Sequence, residues 1–275
     1  MSLVLQAQPI AKDAAFPALL RGWRQKRRLS QLDLALSSGV SQRHVSFLES
    51  GRARPSRGMI LRLSETLEVP LRNRNDWLAA AGFAPVFQAR PLEDPHMAQI
   101  MSAVRMMLDN HAPFPAIAVD RAWNIRLSNA PFETLVAFMG DGVWDAVGGD
   151  GRNLMRLFFH PLGIRSVVTN WAAIAPLIWH SAEREADGLG GADMKQVLAE
   201  LAPFQQAGKL WASPDLPLLP VLPLRIAKDG VALSLFTVIS TFGTAQDVTA
   251  DELRIESFFP ADAATEAMFR GGTAV

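Results

Sequence analysis

The sequence predicts an α+β chain of two domains, an all-α domain of five helices followed by a mixed α/β domain. A length of 275 residues is enough for two domains. Residues 18–74 carry 12 Lys and Arg against 4 Asp and Glu, whereas the rest of the chain carries 15 against 23. The apolar pattern changes from helical spacing to alternation after about residue 115. A basic module followed by an acidic one is typical of a nucleic-acid binder with a separate second domain.

Residues 30–51, SQLDLALSSGVSQRHVSFLESG, predict two short helices joined by a tight turn. Ser30 and Ser41 are suitable N-caps for the two helices, and Gly39 permits a left-handed turn between them. We expect the first helix to have an apolar side formed by Leu32, Leu34 and Ala35. Two helices in this arrangement form the helix-turn-helix motif, whose second helix reads base edges in the major groove of DNA.

Apolar periodicity predicts the other helices of this domain, which we assign to residues 16–82. The predicted helices cover residues 18–28, 31–38 and 42–50, followed by a fourth after Ser56 and a fifth that ends at Gly82. Three prolines between residues 82 and 96 indicate a linker, which we place at residues 83–96.

The second domain is predicted to span residues 97–268 and to combine a sheet with a helical insertion. An amphipathic helix at 97–109 precedes a hairpin that turns at Asp120 and Arg121. The remaining elements are helices at 131–138, 152–159, 166–186 and 194–201, and strands at 218–226, 231–241 and 253–259.

The second helix of the motif separates into two faces on a helical wheel. Val45 and Leu48 face the domain core, whereas the opposite face offers polar side chains and one aromatic ring. Arginine can bind guanine through two acceptors, glutamine can bind adenine, and an apolar group can meet a thymine methyl. Arginines after the helix can neutralise phosphates. The candidate DNA-binding residues are Gln31, Ser41, Gln42, Arg43, His44, Ser46, Phe47, Arg52 and Arg54.

Residues 18–70 resemble the Cro/Xre-type helix-turn-helix domains of phage repressors, most closely in LSQLDLA and GVSQRHVSFLESGRARPS. The resemblance implies an internal ion pair between Arg24 and Glu49. It also implies DNA contacts from Gln31, Gln42, Arg43 and Phe47. The alternative is a helical bundle that no longer contacts DNA.

Residues 96–268 resemble the C-terminal region of MmyB-like transcription regulators. The segments that carry this resemblance are PAIAVDRAWNIRLSNAPFETLV, LMRLFFHPLGIRSVVTNW and STFGTAQDVTADELRIESFFPAD. It implies a PAS-like α/β sensor fold with a fatty-acid-like ligand. The order of turn, strand, Asn129 and helix is also similar to the opening of PAS domains.

The interior of the second domain is predicted to be apolar and rich in aromatic residues, as ligand sites usually are. A short polar group within HPLGIRSVVTN could orient a ligand, and Arg165 could pair with a carboxylate through two hydrogen bonds. The alternative makes His160 a helix C-cap before Pro161 and Arg165 a surface or dimer contact. The candidate ligand-binding residues are Trp123, Asn129, Phe132, Phe159, His160, Arg165, Asn170 and Trp171.

Several classes of function are not favoured by the sequence. The chain has no cysteine and no P-loop, GxGxxG, HExxH or GxSxG motif, so we expect no metal, no cofactor and no catalytic role. No apolar run could span a membrane and no signal peptide is evident, so we expect a cytoplasmic protein.

We therefore expect a transcription regulator that binds double-stranded DNA as a homodimer and senses a small apolar ligand. In one alternative, the second domain is a ligand-free dimerisation or protein-interaction module. In another, it is an enzyme under its own DNA-binding control.

Overall fold

The computed structural model describes residues 16–149, 151–186, 192–204 and 221–271. Contacts between residues divide the chain into two compact units. The first unit comprises Met1–Ala89 and Gln246–Asp251, and the second comprises Arg90–Ala245 and Glu252–Val275. A short segment from late in the chain therefore belongs to the first unit.

The first unit contains the five predicted helices. They are α1 (Phe16–Lys26), α2 (Gln31–Ser38), α3 (Gln42–Glu49), α4 (Arg57–Thr66) and α5 (Leu71–Ala80). Each buries an apolar stripe in one shared core, whose fully enclosed members include Leu20, Leu34, Val45, Leu48, Ile60, Leu63 and Trp77. This confirms the predicted five-helix architecture.

Local capping explains where α2 and α3 begin. The Ser30 hydroxyl accepts a hydrogen bond from the Asp33 N–H at 3.0 Å, and the Asp33 carboxylate accepts one from the Ser30 N–H at 2.9 Å. The Ser41 hydroxyl caps α3 by accepting a hydrogen bond from the His44 N–H, and Gly39 has a left-handed φ of 66° between the helices. These contacts fix the turn of the helix-turn-helix motif.

The predicted inward position of Leu32 is wrong, because its side chain is 48% exposed. The inward stripe of α2 consists of Leu34, Ala35 and Ser38, which follow helical spacing. Leu32 lies two residues before Leu34 and thus about 200° around the helix axis from it.

The second unit is a mixed helix and antiparallel sheet domain, as predicted. Its strands are β1 (Ala116–Val119), β2 (Ile125–Ser128), β3 (Leu224–Lys228), β4 (Val231–Thr241) and β5 (Arg254–Pro260), in the order β2-β1-β5-β4-β3. Its helices are α6 (Ala98–Asn110), α7 (Ala130–Met139), α8 (Val143–Val147), α9 (Leu154–Phe159), α10 (Trp171–Ala186), α11 (Ala192–Leu201) and α13 (Ala263–Phe269). The helix α12 (Val248–Glu252) lies between β4 and β5.

Helices cover both faces of the sheet, and the residues of β1 pack alternately into a core on each face. Ile117 and Val119 belong to a large core formed with α7, α9, α10 and α11. The alternate residues Ala116 and Ala118 belong to a smaller core formed with α6. All four residues of β1 are buried because each face of the strand is covered.

Some predicted boundaries in the second unit are wrong. The helix predicted at 166–186 begins only at Trp171, because Val168 forms an isolated β-bridge with Ile226. The strand predicted at 218–226 begins at Leu224, and its first three residues lie outside the described residues. The helices α8 and α13 were not predicted.

The turn between β3 and β4 lies where the sequence places it. Asp229 and Gly230 both have positive φ, at 50° and 81°. An Asp-Gly pair in this conformation is a common two-residue hairpin turn.

Candidate DNA-reading face and ligand cavity

The outward side of α3 carries the residues predicted to read DNA. Gln42 and Arg43 are exposed and Phe47 is half-buried, whereas Val45 and Leu48 are fully buried in the core. The Arg43 guanidinium lies over the Phe47 ring, 5.3 Å from its centre. We call Gln42, Arg43 and Phe47 the recognition face. Its side chains lie on the outside of the first unit.

The remaining predicted DNA residues surround this face. Ser41 is exposed and caps α3, and His44 and Ser46 are half-buried on the same helix. Arg52 and Arg54 are exposed on the segment that follows α3. The structure thus groups the predicted base-reading and phosphate-binding residues around one helix.

A buried ion pair fixes α3 against α1, as the resemblance implied. Arg24 donates through Nε to Glu49 Oε1 at 2.6 Å and through Nη2 to Oε2 at 2.9 Å. Gln31 at the start of α2 donates to Glu49 Oε2 at 2.9 Å, so its amide is oriented by the same carboxylate. Burial alone would raise the pKa of the Glu49 carboxyl, but the hydrogen bonds from Arg24 and Gln31 outweigh it and hold that pKa below its usual range.

The second unit contains a partly open cavity of about 360 Å³ between the sheet and the helices α7, α9 and α10. We call it the ligand cavity. Its walls are mainly Leu, Ile, Met and Phe side chains, and Leu177 and Ile239 are half exposed at its edge. Its lining residues include Trp123, Phe132, Ile178, Glu185, Thr237 and Glu256.

One edge of the ligand cavity is polar and ordered. The Glu185 carboxylate accepts two hydrogen bonds from Arg254 Nη1, at 2.9 and 3.0 Å, and one from Trp123 Nε1 at 3.3 Å. Trp123 has a φ of 64°, which is uncommon for a bulky residue. The turn that begins at Asp120 holds this conformation, because the Asp120 carboxylate accepts from the N–H groups of Ala122 and Asn124.

A second acid, Glu256, lines the cavity from β5. Its side chain is 7% exposed and its Oε2 atom has no hydrogen-bond partner within the described residues. Burial raises the pKa of Glu256 to about 7, even though the Thr237 hydroxyl and the charge of Arg254 act to lower it. At neutral pH this group therefore exists partly as a protonated carboxyl.

Two of the predicted ligand-binding residues, Trp123 and Phe132, line the cavity. Asn129 does not, because it is a structural hub. Its Oδ1 accepts from the N–H groups of Ala116 and Phe132, and its Nδ2 donates to the carbonyls of Leu108 and Phe114. These bonds join α6, β1 and α7.

The polar candidates in HPLGIRSVVTN also have other partners. His160 is the C-cap of α9, and Arg165 stacks over the Trp171 ring at 3.9 Å and donates to the Phe204 carbonyl. Asn170 bridges to the backbone of Pro223 and Arg225. These positions lie outside the cavity lining.

The aromatic candidates Phe159 and Trp171 pack against each other, outside the cavity lining as well. Their ring centres are 6.0 Å apart, and the Trp171 indole donates to the Phe158 carbonyl. Both are buried in the large core of the second unit.

Sequence reasoning missed the acids Glu185 and Glu256. Glu256 gave no signal in the sequence, because it shares its side of β5 with Arg254, as a solvent-facing residue would, and the strand is buried on both faces. Glu185 gave no signal either, because it follows Glu183 and Arg184 in a charged helix end.

Two kinds of feature are absent from the described ranges. No helix there is both long and apolar enough to cross a bilayer. No group of three or more His, Cys, Asp or Glu side chains is arranged to hold a metal ion.

Comparisons with known proteins agree with this geometry. The family model described as the MmyB-like transcription regulator ligand binding domain matches residues 100–271. A helix-turn-helix model matches residues 20–72, which include all of α2 and α3. A search of curated proteins gave no match.

One solved structure is described as the structure of an RNA-binding light-oxygen-voltage receptor. It shares 15% identity and a TM-score of 0.26 with this chain, over 94% of this chain and 60% of that one. This chain thus spans less than two thirds of that receptor's length. The ligand-binding-domain match, by contrast, covers more than half of this chain, which therefore belongs to the MmyB-like transcription regulators and carries a helix-turn-helix domain ahead of its ligand-binding domain.

Proposed function

We propose that α3 reads a specific DNA sequence and that a small, mainly apolar molecule in the ligand cavity alters this binding. The observation that carries the proposal is the exposed recognition face on a helix whose other side is fixed by a buried core and ion pair. A rigid helix with outward Gln and Arg is suited to base recognition.

Charge around α3 supports binding to the DNA backbone. Arg52, Arg54 and Arg57 are exposed close to the recognition face in sequence, and each can neutralise a phosphate. One such helix reads only a few base pairs, so the proposal includes a homodimer that reads two half-sites.

The size and lining of the ligand cavity support ligand binding. Its volume of about 360 Å³ is within the range of small-molecule sites, which are mostly apolar with a few placed polar groups. The sheet with helices above this cavity supports a PAS-like sensor. The apolar walls suit an alkyl chain such as that of the fatty-acid-like ligand that the resemblance implies.

Chain connectivity supports communication between cavity and DNA-binding unit. Gln246–Asp251 belongs to the first unit, yet it is inserted between β4 and β5, both of which line the cavity. Within the first unit, the Asp251 carboxylate accepts from the Leu71 N–H at 3.1 Å and the Val248 N–H donates to the Gln88 carbonyl at 2.8 Å. A ligand that shifts β4 or β5 would move a segment attached to α5.

Native mass spectrometry of the gently purified full chain tests the ligand part. We expect an additional mass of a small molecule on the wild type and its loss in Ile178→Trp, which fills the cavity. Leu162→Trp is the matched control, because Leu162 is 62% exposed and outside the lining. A clean protein mass for the wild type would favour a ligand-free dimerisation or interaction module. A cytoplasmic location and the lack of enzymatic activity stay predictions.

A further inference from the structure

Trp123 forms part of the wall of the ligand cavity, and hydrogen bonds fix its backbone on both sides. Its N–H donates to the Asp120 carbonyl at 3.0 Å, and its carbonyl accepts from the Leu154 N–H at 2.9 Å. The Asn153 side chain donates to the carbonyl of the preceding residue, Ala122, at 2.8 Å. Bulky residues with a positive φ persist only where surrounding contacts hold them, and they are common at switch positions. A force on the Trp123 ring therefore acts on the whole turn.

The indole of Trp123 is also restrained at its far end. Its Nε1 donates to the Glu185 carboxylate of α10 at 3.3 Å, and that carboxylate accepts two hydrogen bonds from Arg254. The Arg254 guanidinium lies 5.8 Å from the centre of the Trp123 ring. Because the bond to Glu185 limits rotation of the indole, a ligand atom that presses on the ring displaces the turn, the Glu185 side chain or both.

Both restraints lead to the end of α12. Arg121, two residues before Trp123, pairs with Glu252, the last residue of α12, at an Nη1···Oε1 distance of 3.5 Å. The two side chains are only 17% and 13% exposed, so salt screens their attraction less than that of a surface pair. Arg254, the partner of Glu185, follows Glu252 by two residues. Two ion pairs thus tie the chain at the end of α12 to the wall of the cavity.

The helix α12 is suited to respond to these pairs. A helix of five residues has little stability of its own, so its order depends on the contacts at its ends. At its start the Asp247 carboxylate accepts from the Thr249 N–H at 2.9 Å, and at its end lies the ion pair of Glu252. Asp251, which accepts the Leu71 N–H at the start of α5, directly precedes Glu252. A displacement at Glu252 therefore passes through one peptide bond to a residue of the first unit.

We propose that Trp123 signals occupancy of the ligand cavity to the DNA-binding unit. A ligand in contact with its indole shifts the turn and the pair between Glu185 and Arg254. The pair between Arg121 and Glu252 carries the shift into α12. Trp123 is a positioning residue for DNA binding, because it acts through these groups. The inference rests on the proposed function, since it requires that the cavity bind a ligand at all.

Hydrogen–deuterium exchange of α12 and α5 in the full chain tests this signal, with dodecanoate as the probe. Isothermal titration calorimetry measures dodecanoate binding in parallel, below the concentration at which the probe forms micelles. In the wild type we expect bound dodecanoate to change the exchange rate of α12 amides at least about threefold, and that of the first turn of α5 in the same direction.

Trp123→Phe removes the signal without emptying the cavity wall. Phenylalanine keeps an apolar ring there but has no N–H for Glu185, so its ring can rotate without moving that carboxylate. This variant should bind dodecanoate within about threefold of the wild type, whereas its α12 exchange should change by less than about 1.5-fold.

Arg121→Gln tests the link that lies outside the cavity lining. It should bind dodecanoate as the wild type does and should also lose the α12 response, because Glu252 is no longer tied to the turn. Arg156→Gln is the matched control, since it removes another largely buried arginine of the second unit, which pairs with Glu200 at 2.7 Å. It should keep the full response. Thermal unfolding shows whether each variant is folded.

The outcomes separate this inference from the cavity proposal. A full α12 response in either Trp123→Phe or Arg121→Gln, with dodecanoate bound, would overturn the inference and leave the cavity proposal intact. A wild type that binds dodecanoate without any change in α12 would do the same. If dodecanoate binds neither the wild type nor Ile178→Trp, the cavity proposal fails and this inference fails with it.

Discussion

Arg24 and Glu49 form a two-point ion pair between α1 and α3, with N···O distances of 2.6 and 2.9 Å. The Glu49 side chain is only 2% exposed and that of Arg24 is 12% exposed. Glu49 is the last residue of α3, and the recognition face lies on the preceding two turns. The pair therefore fixes the helix that we propose to read DNA.

Removing one partner of this pair should destabilise the first unit. We expect Glu49→Ala to cost about 3 kcal/mol, because the Arg24 guanidinium is then left largely buried without its counter-charge. Hydrogen–deuterium exchange of α1 and α3 peptides in the full chain measures the loss locally. Glu65→Ala on the exposed side of α4 is the matched control and should change exchange little.

The same pair predicts a pH dependence. The pKa of Glu49 is lowered in the folded state, so its stabilising effect is complete above the unfolded-state pKa of about 4.3 and is lost as the pH falls through the folded value. The difference between wild type and Glu49→Gln should shrink in acid. A difference that grows in acid would contradict the assigned role.

Two arginine variants should distinguish base reading from phosphate binding. Arg43→Ala should cost about 1–3 kcal/mol on the preferred sequence and relax specificity at one position. Arg54→Ala should weaken binding to all sequences similarly and lower the salt slope by about one unit. Fluorescence anisotropy over a salt series measures both, with Arg105→Ala of α6 as the charge-loss control. If Arg43→Ala left the preference among sequences unchanged, the recognition face would be placed wrongly.

The buried acid in the cavity should make the second unit less stable at higher pH. Since the pKa of Glu256 is about 7 when folded and about 4.3 when unfolded, the unfolded chain releases this proton first as the pH rises. Stability should therefore fall between these values, by about 4 kcal/mol in total. Urea unfolding at several pH values tests this.

Glu256→Gln should remove that loss of stability, because the amide does not titrate. Glu183→Gln on the exposed side of α10 serves as control and should keep the wild-type slope. Parallel slopes for wild type and Glu256→Gln would mean that the carboxyl is already ionised in the folded protein.

The Asp251 carboxylate should matter more for communication between the ligand cavity and the DNA-binding unit than for ligand binding itself. It accepts the Leu71 N–H at the start of α5, where Pro70 offers no side-chain cap, so Asp251→Ala should destabilise α5 by about 1 kcal/mol. We expect the molecule that native mass spectrometry finds on the wild type to bind this variant normally but to shift its DNA affinity less than in the wild type. Asp251→Asn, which keeps an oxygen acceptor, should be intermediate. If the ligand changes the DNA affinity of Asp251→Ala as much as that of the wild type, Gln246–Asp251 is not the route of communication.

The five helices of the first unit could be predicted from local sequence because their signals are local, whereas the inclusion of Gln246–Asp251 in that unit could not. Ser30, Gly39 and Ser41 each act within a few residues of themselves, and the spacing of Val45 and Leu48 sets the inward side of α3. The exposed position of Leu32 is the exception, since one apolar residue on a short helix does not show which way the helix packs.

The ligand cavity could be predicted only in part, because residues that are far apart in the sequence form its walls. Trp123 and Glu185 are far apart in sequence, and only the return of α10 over the sheet brings them together. Asn170 was a candidate ligand-binding residue as part of the polar group in HPLGIRSVVTN, and Asn129 as part of a segment similar to the opening of PAS domains. In the structure both satisfy backbone groups of neighbouring segments, which sequence pattern does not reveal.

Selection from a pool of random DNA duplexes tests the central claim most directly. The wild-type full chain should enrich one preferred sequence, whereas the double variant Gln42→Ala and Arg43→Ala, folded by circular dichroism, should lose that preference and keep weak, salt-sensitive binding. No enriched sequence with the wild type, or the same sequence and affinity with the double variant, would contradict DNA reading by α3.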